Sequence, residues 1–139
     1  MKQLLLVMNP YAGLRRANRY LADMIGLFNR NGWETVVHIT GARGDGTQVT
    51  AQRAKDADLV VAVGGDGTFN EVISGLLRSG ADTPVGYIPA GSTNDFASSL
   101  HLPTGIMEAA QAIMEGEPVA YDVGQFQSDR YFSYVASFG

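Results

Sequence analysis

The stretch formed by residues 58–72 constrains the fold most, because an apolar run there leads through a glycine-rich turn directly into a helix. Residues 59–63 are a short, β-branched run that suits a strand buried on both faces of a parallel sheet. Beyond the turn the apolar residues recur at helical spacing, so the stretch predicts a strand, a tight turn and an amphipathic helix. That apolar stripe consists of Phe69, Val72, Ile73, Leu76 and Leu77.

The turn itself, residues 64–68, predicts a phosphate site. Gly64, Gly65 and Gly67 let a ligand approach the main chain without meeting a Cβ, and the first N–H groups of the following helix point outward. The helix dipole adds partial positive charge at the same point. Asp66 would repel phosphate unless a divalent cation or a ribose hydroxyl stands between them, so we interpret it as a magnesium-side or hydroxyl-side group.

A purely structural alternative explains part of this turn. Thr68 as N-cap and Glu71 three residues later would form a capping box, with the glycines only making a tight turn. This alternative gives no reason for Gly-Gly-Asp-Gly, so the phosphate site is the preferred interpretation. The dinucleotide fingerprint is not met, because its third glycine would fall on Asn70, and there is no Walker lysine.

Composition excludes several classes of function. The 139 residues suffice for a hydrophobic core, and no segment approaches the roughly 20 apolar residues that span a bilayer. Zero cysteines exclude disulfides and thiolate metal sites, which fits a reducing cytoplasm. The net charge of −4, without clustered Lys and Arg, argues against a nucleic-acid partner.

Further strands are predicted to end in polar or glycine-containing loops. Residues 4–8 lead into Asn9, Pro10, Tyr11, Ala12 and Gly13, where Asn9 offers an amide and the small residues keep the loop open. A plain Asn-Pro turn explains that loop equally well.

The next predicted strand, residues 34–40, closes at Thr40. We interpret His38 within it as structural and not as a ligand. The loop at residues 41–46 resembles a phosphate loop only superficially, and the polar helix after it, residues 47–55, is expected on the surface.

The fourth predicted strand, residues 85–88, runs into a polar turn that contains Ser92 and Asp95. Ser92 could simply cap the next helix. Because neighbouring parallel strands bring their carboxyl ends to one crevice, we instead expect a shared site. The pattern as a whole predicts an α/β fold, a Rossmann-like parallel sheet with helices on both faces.

The pattern changes after a predicted helix that Gly116 closes. Two segments with strand character follow, the first containing Asp122 and the second at residues 131–139. We therefore expect a nucleotide-binding domain at residues 1–116 and, at residues 117–139, the start of a β-rich second domain that is largely missing.

Four motifs resemble the catalytic domain of the diacylglycerol kinase family of lipid kinases, which also includes sphingosine and ceramide kinases. They are Asn9-Pro-x-Ala-Gly13, Gly64-Gly-Asp-Gly-Thr-x-Asn-Glu-Val72, Pro89-x-Gly-Ser-Thr-Asn-Asp-Phe-Ala97 and Asp122-Val-Gly. Gly-Gly-Asp-Gly-Thr alone is shared with NAD kinases and, loosely, with phosphofructokinases. The continuation through Asn70 and Glu71 favours the lipid kinases.

The resemblance implies transfer of a phosphoryl group from ATP to a hydroxyl of diacylglycerol or a related lipid. It implies magnesium organised by Asp66, Asp95 and Asp122, which would be the catalytic and metal residues. The general base and much of the lipid site are expected in the second domain. The resemblance also implies a set of nucleotide contacts, which are Asn9, Pro10, Tyr11, Ala12, Gly13, Thr40, Gly65, Asp66, Gly67, Thr68, Phe69, Asn70, Glu71 and Ser92.

Two alternatives stay open at this point, an NAD kinase-like phosphotransferase and a nucleotide-binding module without catalysis. The expected partner is a lipid at a membrane surface, reached from the cytoplasm by peripheral contact. A homodimer is a further expectation.

Overall fold

A computed structural model describes residues 1–91, 105–116, 118–122 and 131–135, and shows an α/β fold built on one sheet. The strands are β1 (Lys2–Met8), β2 (Trp33–Ile39), β3 (Leu59–Gly64), β4 (Val85–Pro89), β5 (Pro118–Asp122) and β6 (Tyr131–Val135). The helices are α1 (Leu21–Arg30), α2 (Asp45–Arg53), α3 (Asp66–Ser79) and α4 (Ile106–Glu115), with 3₁₀ segments at Ala12–Tyr20 and Ala54–Asp56.

The strand order places a ligand crevice at the carboxyl ends of β1 and β3. The sheet reads β2-β1-β3-β4-β6-β5, and the first four strands in this order pair in parallel. β1 is central, with the chain moving to one side for β2 and to the other for β3 and β4. In doubly wound folds the ligand site lies where the order reverses, which here is between β1 and β3.

Helices cover both faces of the sheet, as predicted. Side chains of β1 and β3 alternate between two apolar layers because successive strand residues point to opposite faces. α2 and α3 cover one layer, which contains Val7, Val60 and Val72. α1 and α4 cover the other, which contains Leu6, Val61 and Phe28. Both faces of the central strands are thus buried, which explains their unbroken apolar sequence.

The expectation that the polar helix after β2 lies on the surface is wrong. Val49 and Thr50 of α2 are buried at 4% and 0% exposure. A Cβ on Gly75 of α3 would lie 2.6 Å from both the Thr47 carbonyl oxygen and the Thr50 Cβ. Threonines can therefore form a buried helix face here, because a glycine opposite them allows the two backbones to approach closely.

β5 and β6 form an antiparallel pair beside β4. β6 runs parallel to β4, with Tyr134 opposite Val85, and Asp122 of β5 pairs with Tyr131. The division into domains at residues 116 and 117 stays a prediction. Within the described residues, no helix combines the length and apolar character needed to cross a bilayer.

Candidate nucleotide site

The turn between β3 and α3 is closed by backbone and not by a capping side chain. Gly65 is the N-cap of α3 and no side chain caps the helix. The capping-box alternative is therefore wrong, because Thr68 lies inside the first turn. Thr68 instead packs under the turn, where a Cβ on Gly64 would lie 2.5 Å from its Oγ1 and 2.8 Å from its Cβ. Only glycine fits at position 64, and the first turn of α3 faces the crevice.

The loop after β1 is tied directly to β3. The Asn9 N–H donates to the Val63 carbonyl at 2.9 Å, and the Asn9 Oδ1 accepts a hydrogen bond from the Tyr11 N–H at 2.9 Å. The side-chain oxygen thus folds the loop back in an Asx turn. The Asn-Pro turn that the sequence left as an alternative is real, and it sits at the predicted site.

The same loop then meets β4 through a glycine. Gly13 has φ +52°, and a Cβ there would overlap the Ala90 carbonyl oxygen. Leu14 and Arg15 continue in the left-handed region at φ 59° and 64°. The Arg16 Nη2 donates to the Pro89 carbonyl at 3.4 Å. Gly13 and Arg16 therefore join the loop to the end of β4, while the residues between them are strained and exposed.

The loop after β2 is ordered by Asp45. The Gly41 N–H donates to the Asp45 Oδ2 at 2.8 Å, and the His38 Nε2 lies 3.2 Å from the Asp45 Oδ1. The bond from Gly41, followed by that from His38, holds the pKa of the Asp45 carboxyl below its ordinary value. Thr40 is fixed to β1, because its N–H donates to the Met8 carbonyl at 2.9 Å. The structural role predicted for His38 agrees with this arrangement.

Glu71 joins that loop to α3. Its Oε1 accepts a hydrogen bond from the Gly46 N–H at 2.9 Å, which satisfies a donor in the first turn of α2. A Cβ on Gly46 would lie 2.9 Å from the same oxygen, so glycine is required for this approach. Glu71 therefore positions the loop between β2 and α2 against the first turns of α3.

These three loops enclose a cavity of about 340 Å³ at the carboxyl ends of the strands. Six of the predicted nucleotide contacts line it, namely Asn9, Tyr11, Thr40, Gly67, Thr68 and Glu71. Gly67 is exposed, and within the described parts of the chain a Cβ there would meet no atom of a neighbouring element within 4 Å. The cavity thus adjoins the amino end of a 14-residue helix, where the dipole favours an anion.

Asp66 lies on the side of the turn that faces β4. The hydroxyl of Tyr87 lies 3.1 Å from the Asp66 Oδ1 and 3.3 Å from the Gly64 carbonyl oxygen. The Tyr87 ring stacks on Phe69 with centroids 4.6 Å apart. Burial, followed by the Asp66 charge, raises the pKa of Tyr87 far above its ordinary value, so the hydroxyl is a donor to the carboxylate at neutral pH.

The remaining predicted residues divide into several groups. Phe69 is 1% exposed, so its side chain belongs to the core and not to the cavity. Asp122 is the last residue of β5, while Ser92 and Asp95 lie outside the described residues. In the described part of the chain, no three acidic or histidine side chains gather as a metal cluster. Asp66 does not line the cavity, and neither do five other predicted contacts, Pro10, Ala12, Gly13, Gly65 and Asn70.

Sequence reasoning missed one wall of the cavity, formed by Gly41, Ala42 and Arg43. Arg43 adds an exposed cation opposite the turn, where the motif has no lysine. The signal was available, because this loop follows the strand next to β1, and carboxyl ends of neighbouring parallel strands share one crevice.

Comparison with known proteins points to one family. Residues 3–126 match the diacylglycerol kinase catalytic domain. The chain is 37% identical over 141 residues to a diacylglycerol kinase of Bacillus subtilis, covering 100% of this chain and 46% of that protein. It is 38% identical over 139 residues to one of Staphylococcus saprophyticus, covering 99% and 45%. A diacylglycerol kinase structure from Bacillus anthracis superimposes with a TM-score of 0.73 at 30% identity, covering 86% of this chain and 41% of that one.

Proposed function

Because this chain belongs to the diacylglycerol kinase catalytic-domain family, we propose that it binds ATP with magnesium for phosphoryl transfer to a lipid hydroxyl. The chain spans less than half the length of the curated relatives it matches, at 46% and 45%. The reaction is therefore a proposal for the whole protein, with diacylglycerol or a related lipid as acceptor. The nucleotide site is the part proposed for this chain.

The cavity at the β1–β3 crevice carries this proposal. Its volume of about 340 Å³ falls within the range of small-molecule sites. Gly67 and Thr68 bring the amino end of α3 to one wall, and Arg43 brings a cation to another. A bound triphosphate would therefore meet main-chain N–H groups, a helix dipole and a guanidinium. Thr40 and Asn9 add polar groups for the rest of the nucleotide.

The turn offers one carboxylate, Asp66, of the type that magnesium binds. Magnesium in kinase sites is usually held by one or two carboxylates together with substrate phosphates and water, so a three-carboxylate cluster is not required. Asp66, at the start of α3, would hold it, with Asp95 and Asp122 proposed as partners from their motifs. When bound, the ion would neutralise charge on the transferring phosphoryl group.

This chain's own residues would position the nucleotide and stabilise the charge of its phosphates. Phosphoryl transfer requires little covalent chemistry from the protein, and its rate depends on alignment and on electrostatic stabilisation. Glu71 and Asp45 fix the loop that carries Arg43, while the Asn9 turn fixes the opposite wall. The walls are therefore held by hydrogen bonds within the protein, and less reorganisation is needed when the nucleotide binds.

The lipid acceptor would be met at a membrane surface, and the loop after β1 supports this. Leu14 is 96% exposed, and the guanidinium of Arg15 lies 4.9 Å from the centre of the Tyr11 ring. An exposed leucine beside arginines suits the interface of an anionic bilayer. Tyr11 also lines the cavity, so the loop borders the nucleotide. Cosedimentation with vesicles containing phosphatidylglycerol, compared with phosphatidylcholine alone, tests this contact, and Leu14→Glu should reduce it.

Blocking the cavity tests the nucleotide site. Gly67→Leu should fold normally, because among the described residues no neighbouring element has an atom within 4 Å of the added Cβ, and it should abolish binding of magnesium-ATP measured by calorimetry. Gly26→Leu on α1 is the matched control, since its Cβ would meet only the end of the Arg30 side chain, at 3.4 Å. Unchanged affinity in Gly67→Leu would remove this cavity from the proposal.

The acceptor needs a separate assay on the full-length protein. Radiolabelled ATP is supplied with diacylglycerol in mixed micelles or with NAD, and we expect label only in the lipid. Chelation of magnesium should stop transfer. Label in NAD would favour the NAD kinase alternative, and nucleotide binding without transfer to either acceptor would favour a non-catalytic module.

A further inference from the structure

We infer that Tyr87 is a positioning residue for phosphoryl transfer, with its hydroxyl restraining the carboxylate of Asp66, the residue proposed above to hold magnesium. This rests on the proposed function. The residue was absent from the sequence-based site, where it counted only as part of a buried strand. The structure gives it a specific contact to a proposed metal ligand.

The first observation is the hydrogen bond itself. The Tyr87 hydroxyl lies 3.1 Å from the Asp66 Oδ1, a distance at which a phenol donates to a carboxylate. The Gly64 carbonyl, at 3.3 Å, is the competing acceptor. A phenol has one proton, and the charged, closer acceptor forms the stronger bond. The hydroxyl therefore restrains the Asp66 side chain at the first residue of α3.

The second observation is that the phenol is itself held rigidly. Tyr87 is 2% exposed, lies in β4 opposite Ala62 of β3, and stacks on Phe69 at an interplanar angle of 21°. Phe69 lies in the first turn of α3, three residues after Asp66. The ring thus bridges β4 and the helix that carries the carboxylate, so the orientation of Asp66 is coupled to packing in the core.

The competing explanation is that the hydroxyl is only a satisfied polar atom of the core. A buried phenol needs a partner, and the Gly64 carbonyl could serve. A merely structural role affects stability without affecting how nucleotide binding depends on magnesium. A positioning role affects that dependence, because a carboxylate that loses the bond from Tyr87 has more side-chain freedom to lose when it meets the ion.

Tyr87→Phe separates the two roles, since it removes the hydroxyl and keeps the ring stacked on Phe69. In full-length protein we expect the magnesium concentration for half-maximal ATP binding to rise about tenfold, the effect of losing a hydrogen bond to a charged group. The turnover number should fall by a similar factor, with KM for the lipid unchanged. ATP binding in EDTA should equal that of the wild type. Tyr20→Phe, which removes a hydroxyl from a residue that is 37% exposed, is the matched control.

A double-mutant cycle completes the test. Asp66→Asn should itself raise the magnesium requirement, and Tyr87→Phe added to it should raise it no further. If Tyr87→Phe has a normal magnesium requirement while Asp66→Asn has a raised one, the role of Tyr87 is overturned and the proposed metal site is retained. A normal requirement in Asp66→Asn would overturn both. If Tyr87→Phe does not fold, Phe69→Leu, which loosens the stack, should give a smaller rise, and no rise would count against the inference.

Discussion

Two loops meet at the nucleotide crevice and differ in almost every physical respect. The turn from β3 into α3 is short, because β3 ends at Gly64 and α3 begins at Asp66. The connection from β1 to α1 includes the 3₁₀ segment Ala12–Tyr20 and carries Leu14 at 96% exposure. The first is closely packed at Gly64 and open at Gly67. The second is fixed at Asn9, Gly13 and Arg16 and is exposed between them.

The difference separates positions where glycine is required for lack of space from positions where a larger residue strains the backbone. In the β3–α3 region, Gly64, Gly46 and Gly75 are required by the lack of space, since a Cβ would approach neighbouring atoms to 2.5–2.9 Å. At Leu14 and Arg15 of the β1–α1 connection the problem is instead backbone conformation, because both residues adopt positive φ with side chains that oppose it. Gly64, Gly46 and Gly75 should therefore tolerate almost no added volume, while position 14 should gain from lost volume.

The largest expected effect comes from filling the packed region. Gly75→Val should lower the free energy of unfolding by about 3 kcal/mol, because overpacking against the α2 backbone forces the helices apart. Urea denaturation followed by circular dichroism measures this. Gly67→Ala in the same helix is the control, since its Cβ contacts no neighbouring element in the part of the chain that the structure describes. Equal stability of the two variants would show that α2 and α3 adjust freely.

Removal of the Glu71 carboxylate should have the next largest effect. Glu71→Ala leaves the Gly46 N–H without its acceptor, which we expect to cost about 2 kcal/mol of stability and to loosen the loop that carries Arg43. Both denaturation and ATP affinity should respond. Glu71→Gln keeps an acceptor oxygen at the same position and should retain most of both. A variant Glu71→Ala with wild-type ATP affinity would show that the loop does not need this anchor.

Alkaline pH should weaken the β3–α3 region through Tyr87. Its pKa is raised in the folded protein, so the associated stability is fully present below the unfolded value of about 10 and is lost as pH rises above it. The wild type should lose up to about 1.4 kcal/mol per pH unit relative to Tyr87→Phe above that point. Thermal melts of both proteins between neutral and alkaline pH measure the difference. If the melting temperatures of the two proteins change equally with pH, the raised pKa of Tyr87 is contradicted.

The smallest effect should be a gain in the exposed connection. Leu14→Gly removes the left-handed strain of about 1–2 kcal/mol. Glycine also gives the unfolded chain more conformational entropy, which costs about 0.5–1 kcal/mol of stability. The net free energy of unfolding should therefore rise by about 0.5 kcal/mol. Leu14→Ala is the control, because alanine keeps a Cβ at positive φ and should give no gain. Chemical denaturation of both variants tests this, and a loss in Leu14→Gly would show that the leucine makes a stabilising contact.

Much of the fold follows from local sequence, because the apolar runs and helical stripes that predict β3 and α3 are properties of consecutive residues. The common crevice was also predictable, since parallel strands share a carboxyl edge. The role of Glu71 in positioning a loop was not predictable, because its partner, Gly46, lies 25 residues earlier in the chain. The burial of Thr50 and the contact of Tyr87 with Asp66 likewise depend on pairs of elements, which composition and periodicity do not encode.

The exposed leucine at position 14 also has a practical consequence. The chain contains no cysteine, so Leu14→Cys would introduce a single thiol for a fluorescent label. The label would sit between two fixed points, Gly13 against Ala90 and Arg16 on Pro89, and next to the loop residue Tyr11 that lines the cavity. Under the proposed function, its emission would report in real time, from one position, both the arrival of a nucleotide and the approach of a bilayer.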